Sequence, residues 1–319
     1  MSALEWVPAR RSLRFAFAGY CFHETWFEGL ELLTHVTRIT ASLDETTAAI
    51  APLLDRHAAV FVPSHPVRTK APPLQFTRHF IRYTIETTRH YYIEFDRTFD
   101  QHMRRLPRTH RHEIERKLRR YLEASDGGID LRCYATPREA QRFYELARAL
   151  SVKTYQDRLL GLGLPDTDTF RAELRGHAER GTMRGYLLFD RGQPIAFGYC
   201  AGLGDCLRFV FTGYDPAAAD RSPDIVLVHE MVRSVAAEGR FAILDFGPGE
   251  GQYKRLFATA SVPCATIYFL RPSPGHLVRA LAHRTCTGAS DGCGNVADWL
   301  GVKAQLRRWL RVRAPARAS

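Results

Sequence analysis

The chain has 319 residues and a formal net charge of +11, from 45 Lys and Arg against 34 Asp and Glu. Only five of those cations are lysines, so the surface is arginine-rich and suits phosphorylated or acidic partners. Seven scattered cysteines argue against a disulfide framework and for a reducing, cytoplasmic compartment, and no apolar run reaches the roughly 20 residues of a membrane-spanning helix.

In chain order, Arg10-Arg11 precede an apolar patch, Phe15 to Phe22, that Gly19 and Cys21 interrupt and Glu24 follows, so it does not read as a signal peptide. Residues 13–18 alternate as a strand. Glu24 to Val36 places Trp26, Phe27, Leu30, Leu33 and Val36 on one face at helical spacing and predicts a helix. Asp44 is expected to cap a second helix running through Ile50 and Leu54 to Arg56. Ala58 to Val62 reads as a buried strand ended by Pro63, and residues 63–73 as a proline-rich loop or the entry to a cleft. Phe76 to Phe95 is β-rich. Residues 1–98 thus predict an α/β half without strong chemistry of its own.

Asp100 to Ala124 is helical and basic, broken in two by Pro107. Ile114, Leu118, Tyr121 and Leu122 form its apolar stripe, which leaves Arg104, Arg105, Arg108, Arg111, Arg116, Lys117, Arg119 and Arg120 mostly facing water or lining a phosphate-facing wall. His110 and His112 stand two apart and do not share a metal. Leu131 to Tyr134 is a strand. A helix follows over 138–150, with Thr136 at its N-cap and Glu139 three residues on. Ser151 to Gln156 is a polar turn, 159–167 a Gly/Pro loop, and 168–180 another helix.

Two apolar runs, 185–189 and 194–201, are joined by Asp190-Arg191-Gly192-Gln193, a hairpin signal. Leu207 to Thr212 is a third strand. Ser222 and Pro223 open a helix that runs to Glu238 and stops at Gly239, with Ser222 suited to the N-cap. Phe241 to Phe246 is a short buried strand, so strand, helix and strand make a βαβ unit.

Three pieces in order carry a family resemblance: Gly-Gln-Pro-Ile-Ala-Phe from Gly192, Gly-Tyr-Asp-Pro from Gly213 followed by Ser222-Pro223, and Asp-Phe-Gly-x-Gly-x-x-x-Tyr-Lys from Asp245. Residues from about Tyr92 to Leu270 resemble the acyl-coenzyme A binding half of the GNAT acyltransferases. They are most similar to the branch of BioF2-like and cellulose-biosynthesis-associated acetyltransferases, a fold shared with Fem-type peptidyltransferases. The resemblance implies an α/β (α+β mixed-sheet) GNAT-like fold. It would hold two tandem halves, 1–98 degenerate and 99–270 complete, with a basic helical extension over 271–319.

It also implies an N- or O-acyltransferase that takes an acyl, most simply acetyl, group from acyl-coenzyme A or an acyl carrier protein. In such folds two central strands splay, here 207–212 and 241–246, and a backbone N–H near Val210 or Phe211 would polarise the thioester carbonyl. The pyrophosphate would lie at the helix start marked by Ser222 and Asp224. The family usually carries Gly at position 224, where the acidic residue suits the helix dipole but repels a phosphate. Tyr253 stands where many relatives keep the tyrosine that protonates the departing thiolate, and Lys254 matches the Fem-type lysine. Asp245, ending a buried strand, is a general-base candidate or a carboxylate that caps the turn after it. Lys153, Tyr155 and Glu250 are candidate acceptor contacts, or plain surface groups.

After Leu270, Pro272 and Pro274 break the chain, 276–283 reads as a short helix and Thr285 to Gly294 as a flexible loop. His276, His283, Cys286 and Cys293 match no usual zinc spacing, and no metal is expected. Val296 to Val312 is helical, with Trp299, Leu306 and Trp309 among arginines. It either packs on the body or contacts the inner face of an anionic membrane. Two functions stand: an acyltransferase serving envelope or polysaccharide metabolism with a small-molecule, glycan or lipid acceptor, and a silent GNAT-like binding module. Within the enzyme class, a Fem-like transferase using aminoacyl-tRNA is the alternative.

Overall fold

A computed structural model describes residues 5–17, 20–69, 71–95, 98–125, 128–154 and 163–299. The described residues gather into two compact units, one from Met1–Thr87 with Pro263–Ser319 and one from Thr88–Val262.

The first unit opens on a long antiparallel hairpin of β1 (Trp6–Phe17) and β2 (Tyr20–Leu32). The segment expected as a helix over Glu24 to Val36 is therefore mostly strand. Its Thr, Trp and Phe side chains favour a pleated surface, and Gly29 settles the matter sterically. A Cβ there would stand 1.9 Å from the carbonyl oxygen of Ala59 on β3 (Ala59–Pro66), which β2 joins in parallel. Only Val36–Arg38 keeps a helical, 3-10 turn. The helix α1 (Leu43–Ile50) begins at Ser42 rather than Asp44, because Ser42 and Glu45 satisfy each other's backbone N–H in a capping box. Pro52 then tightens the chain into a 3-10 turn, Ala51–Asp55.

Strand β3 runs through Pro63 instead of ending there. Its register against β11 (Ala260–Leu270) shifts between Ala265 and Ile267, so the residue lacking an N–H sits at a bulge. The short β4 (Leu74–Phe76) pairs with the start of β5 (Ile81–Glu94), as the β-rich pattern predicts. Where a short helix and a loop were expected after Pro274, α8 (Pro274–Trp299) is continuous despite Gly288, Gly292 and Gly294. Its first turns are anchored by Leu277 and Ala280, which pack with Leu13, Phe15 and Phe27.

In the second unit the sheet runs from the later half of β5 through β10 (Ile243–Pro248), β9 (Cys206–Tyr214), β8 (Gln193–Leu203) and β7 (Met183–Asp190) to β6 (Asp130–Tyr134). The β7–β8 turn has Arg191 at φ 49° and Gly192 at φ 77°, the two left-handed residues of a tight hairpin. Pro107 separates α2 (Phe99–Arg105) from α3 (Arg108–Ala124), as expected. The next helix, α4 (Pro137–Ser151), carries the predicted capping box of Thr136 and Glu139, and α5 (Asp168–Glu179) follows. Between β9 and the parallel β10 crosses α6 (Pro223–Glu238), ended by Gly239 at φ 66°; α7 (Gln252–Phe257) comes after β10.

Helices cover both faces of this sheet. On one, Ile114 and Tyr121 of α3 and Ile225, Met231 and Val232 of α6 bury Leu207, Phe209 and Leu244. On the other, Phe143 of α4 and Phe170 and Leu174 of α5 bury Leu187, Phe197 and Tyr199. Among the described residues no helix is long and apolar enough to cross a membrane.

Candidate active site

The strands β9 and β10, made parallel by the α6 crossover, pair over three residues only, ending at Asp245 opposite Arg208. Beyond that point β9 continues to Tyr214 against β8, and β10 continues to Pro248 against β5. The divergence has a local cause. Opposite β8, Cys200 faces Phe209 and Tyr199 faces Phe211, so Val210 is an extra residue in β9. A bulge of this kind bends and overtwists its strand. Val210 is 44% exposed, while Phe209 joins the α3–α6 core and Phe211 packs on the α4–α5 core. Val210 and Phe211, expected to offer a backbone donor, thus lie on the stretch of β9 that β10 has left.

Asp245 is only 5% exposed. One carboxylate oxygen accepts from His90 Nε2 at 2.6 Å and from the Gly247 N–H at 2.6 Å, and the other lies 4.0 Å from Arg208 Nε. The turn-capping role is therefore real, and the acid also has a histidine partner. Because Asp245 pairs with Tyr92 across the ladder, Asp245, Tyr92 and His90 share one face of the sheet. Phe246, the next residue, faces the other way, and Tyr253 packs there: its ring lies 5.6 Å from Phe246 and 5.6 Å from Phe209. The structure thus places Asp245 and Tyr253 on opposite sides of one strand end, not in a single polar cluster. Burial, followed by the negative field of Cys200 and Asp224, holds the Tyr253 hydroxyl well above its ordinary pKa of 10.0. That phenol keeps its proton at neutral pH.

Lys254 donates from Nζ to the carbonyl oxygens of Pro248 at 2.7 Å and Gly247 at 3.4 Å, so it ties down the same turn that Asp245 caps from the N–H side. Glu250 accepts from the Tyr91 hydroxyl at 2.8 Å and pairs with Arg255 at 3.0 Å. Lys153, just past α4, bridges at 3.0 Å to Asp215, just past β9, which draws the α4 turn to the end of the bulged strand. Gly213 permits this approach, since a Cβ there would stand 2.8 Å from the Thr154 methyl. Tyr155 lies outside the described residues.

At the start of α6, Ser222 has φ 51° and ψ 52° and makes no side-chain cap, so the helix begins where expected without the expected capping bond. A 3-10 turn, Pro216–Arg221, precedes it instead. Burial raises the Asp224 carboxyl above its ordinary value, while the Ile225 N–H and the charge of Lys117 on α3 oppose the shift.

His90 is the residue that sequence reasoning missed. It is 4% exposed and 155 positions from its partner, and no local motif marks it. The one available signal was the strand pattern of 90–93, which puts positions 90 and 92 on the same face.

Residues 108–255 match the family model described as an acetyltransferase (GNAT) domain. That span holds Lys153, Val210, Phe211, Ser222, Asp224, Asp245, Glu250, Tyr253 and Lys254, and His90 lies before it. No curated protein sequence matches the chain. Among solved structures, the chain is similar to a conserved protein of unknown function from Bacteroides thetaiotaomicron, with 10% identity over 82% of this chain and 86% of that one and a TM-score of 0.47. It is likewise similar to FemX, at 9% identity over 84% and 88% with a TM-score of 0.45. The third is L-PGS from Bacillus licheniformis, at 11% over 81% and 85% with a TM-score of 0.46. The fold is mixed α/β, and the match over residues 108–255 supports a GNAT-like transferase domain.

Proposed function

We propose that the chain transfers an acyl group from a thioester donor, acyl-coenzyme A in the simplest case, to an amine or hydroxyl at the mouth between β9 and β10. The observation that carries this reading is the bulge at Val210 beside a three-residue ladder, which leaves a wedge open between two parallel strands. In such a wedge a pantetheine arm completes the sheet by backbone hydrogen bonds, and a freed N–H polarises the carbonyl.

The two-sided placement of the polar groups then divides the work. An acceptor entering on the Asp245 side, past Lys153, loses its proton towards the Asp245–His90 pair as its nitrogen or oxygen bonds to the carbonyl carbon. The carbon–sulfur bond breaks and the leaving thiolate takes the proton of Tyr253, which burial keeps protonated. Lys254 and Glu250 hold the turn over this mouth. We place the chain beside the BioF2-like and cellulose-associated acetyltransferases on the strength of its three sequence pieces, with a small-molecule, glycan or lipid acceptor.

The test is binding followed by turnover. Coenzyme A or acetyl-coenzyme A should raise the melting temperature of the full chain, and an acceptor panel should release free thiol. Absence of any shift at millimolar donor defeats the coenzyme A reading. A second donor, aminoacyl-tRNA, is favoured by the exposed Arg104, Arg108, Arg116, Arg119 and Arg120 of α2 and α3; it requires tRNA affinity that falls steeply with salt.

A further inference from the structure

The groove between α4 and α5 holds a cavity of about 320 Å³. Its walls carry three guanidinium groups, Arg138, Arg171 and Arg175, together with Gln141, and no carboxylate lines it. Leu174 and the ring of Tyr144, both buried, make an apolar floor.

The three arginines are not equivalent. Arg171 is built into the protein: it pairs with Asp166 at 2.7 Å and Asp168 at 2.7 Å, and donates to the Tyr144 hydroxyl at 3.2 Å. The same hydroxyl donates to Asp166 at 2.8 Å, so the floor and this wall are fixed together. Arg138 and Arg175 are exposed, and among the described residues neither has an ion-pair partner. Two cations that share a concave site without a counter-charge repel one another, and an anion between them removes that cost.

We propose that this cavity binds a small oxyanion, a phosphate or carboxylate group on a short apolar body, at a site separate from the acyl-transfer mouth. The planar fork of arginine matches the paired oxygens of either group. The floor accepts a few carbons, and the Gln141 amide can donate to or accept from a neutral polar group on the same molecule. The volume lies at the lower end of the roughly 300–1,000 Å³ seen for ligand pockets, so a whole coenzyme A is excluded. None of the groups at the β9–β10 mouth lines the cavity.

The test uses the full chain and calorimetric titration at constant ionic strength, with inorganic phosphate in one arm and succinate in the other. Wild-type protein should bind at least one of them saturably with one site per chain, and the arm that binds identifies the group. The double variant R138Q/R175Q should bind it at least about tenfold more weakly, the loss expected for charge-assisted hydrogen bonds. The control R56Q/R68Q, two exposed arginines of the first unit with no part in either site, should bind as wild type, which separates a built site from general positive charge. Should the double variant fail to fold, either single change serves. The proposal is overturned if neither anion binds at millimolar concentration, if R138Q/R175Q binds like wild type, or if the R56Q/R68Q control weakens equally.

Discussion

Replacing Asp245 by Ala removes the acceptor of two 2.6 Å hydrogen bonds at a site that is 5% exposed. Bonds to a charged group contribute about 1.5–3 kcal/mol each. Taking the lower figure for both, because the space left can admit water, gives a loss of about 3 kcal/mol. For a unit of this size each kcal/mol moves the melting temperature by about 2–4 °C, so the full chain should melt about 6–12 °C lower by circular dichroism or calorimetry. Asp245→Asn keeps an acceptor oxygen and loses only the charge, so it should fall by about half as much. The pair of variants separates structure from chemistry. If Asp245→Asn melts near wild type yet transfers acyl groups 10²–10⁴-fold more slowly, the carboxylate takes part in the reaction. A melting temperature for Asp245→Ala within about 2 °C of wild type would refute the claim that this carboxylate holds the turn together.

Tyr253→Phe should leave donor binding intact and slow thiol release by about 10²–10⁴-fold, measured with a thiol-reactive dye; unchanged turnover removes Tyr253 from the proton path. Gly29→Ala should prevent soluble expression or sharply lower the melting temperature, since its Cβ would fall 1.9 Å from a backbone oxygen that no side-chain rotation can relieve. The Ala217 N–H, then Lys153, hold the Asp215 carboxyl below its ordinary value of 3.8. A folded pKa below the unfolded one gives stability that is present above pH 3.8 and drains away as pH falls further. Asp215→Asn, which has nothing to titrate, should therefore lose less stability than wild type on acidification from pH 4, followed by acid unfolding.

Much of the second unit was legible because its signals are local. The Arg191-Gly192 turn, the Thr136–Glu139 capping box, the break at Pro107 and the stop at Gly239 are each decided within a few residues, and the structure keeps all four. The first unit was harder because its decisive facts come from elsewhere in the chain. Trp26, Phe27, Leu30 and Leu33 satisfy a helical stripe, and it is the pairing with β1 and the approach of Ala59 to Gly29 that make the segment a strand. Pro63 was read as a terminator because the strand that tolerates its bulge, β11, lies two hundred residues later in the chain, where Thr266 alone faces Pro63 and Ser64. The site divides the same way. Asp245 and the turn after it were visible as a motif. Its pairing with His90, and the face that Tyr253 takes, depend on a ladder between β5 and β10 that no local pattern records.

The extra residue in β9 also bears on how this chain can tolerate change. Side chains on a strand alternate, and the bulge takes up the one added position, so the residues on either side of it keep the faces that regular pairing would give them. Removing residue 210 would bring Phe209 and Phe211 next to each other, each still on its own face opposite Cys200 and Tyr199, and the strand would lose the bend that carries it away from β10. Substituting it asks far less, because its side chain is partly in solvent. At this position the chain is permissive about which amino acid it carries and strict about carrying one at all.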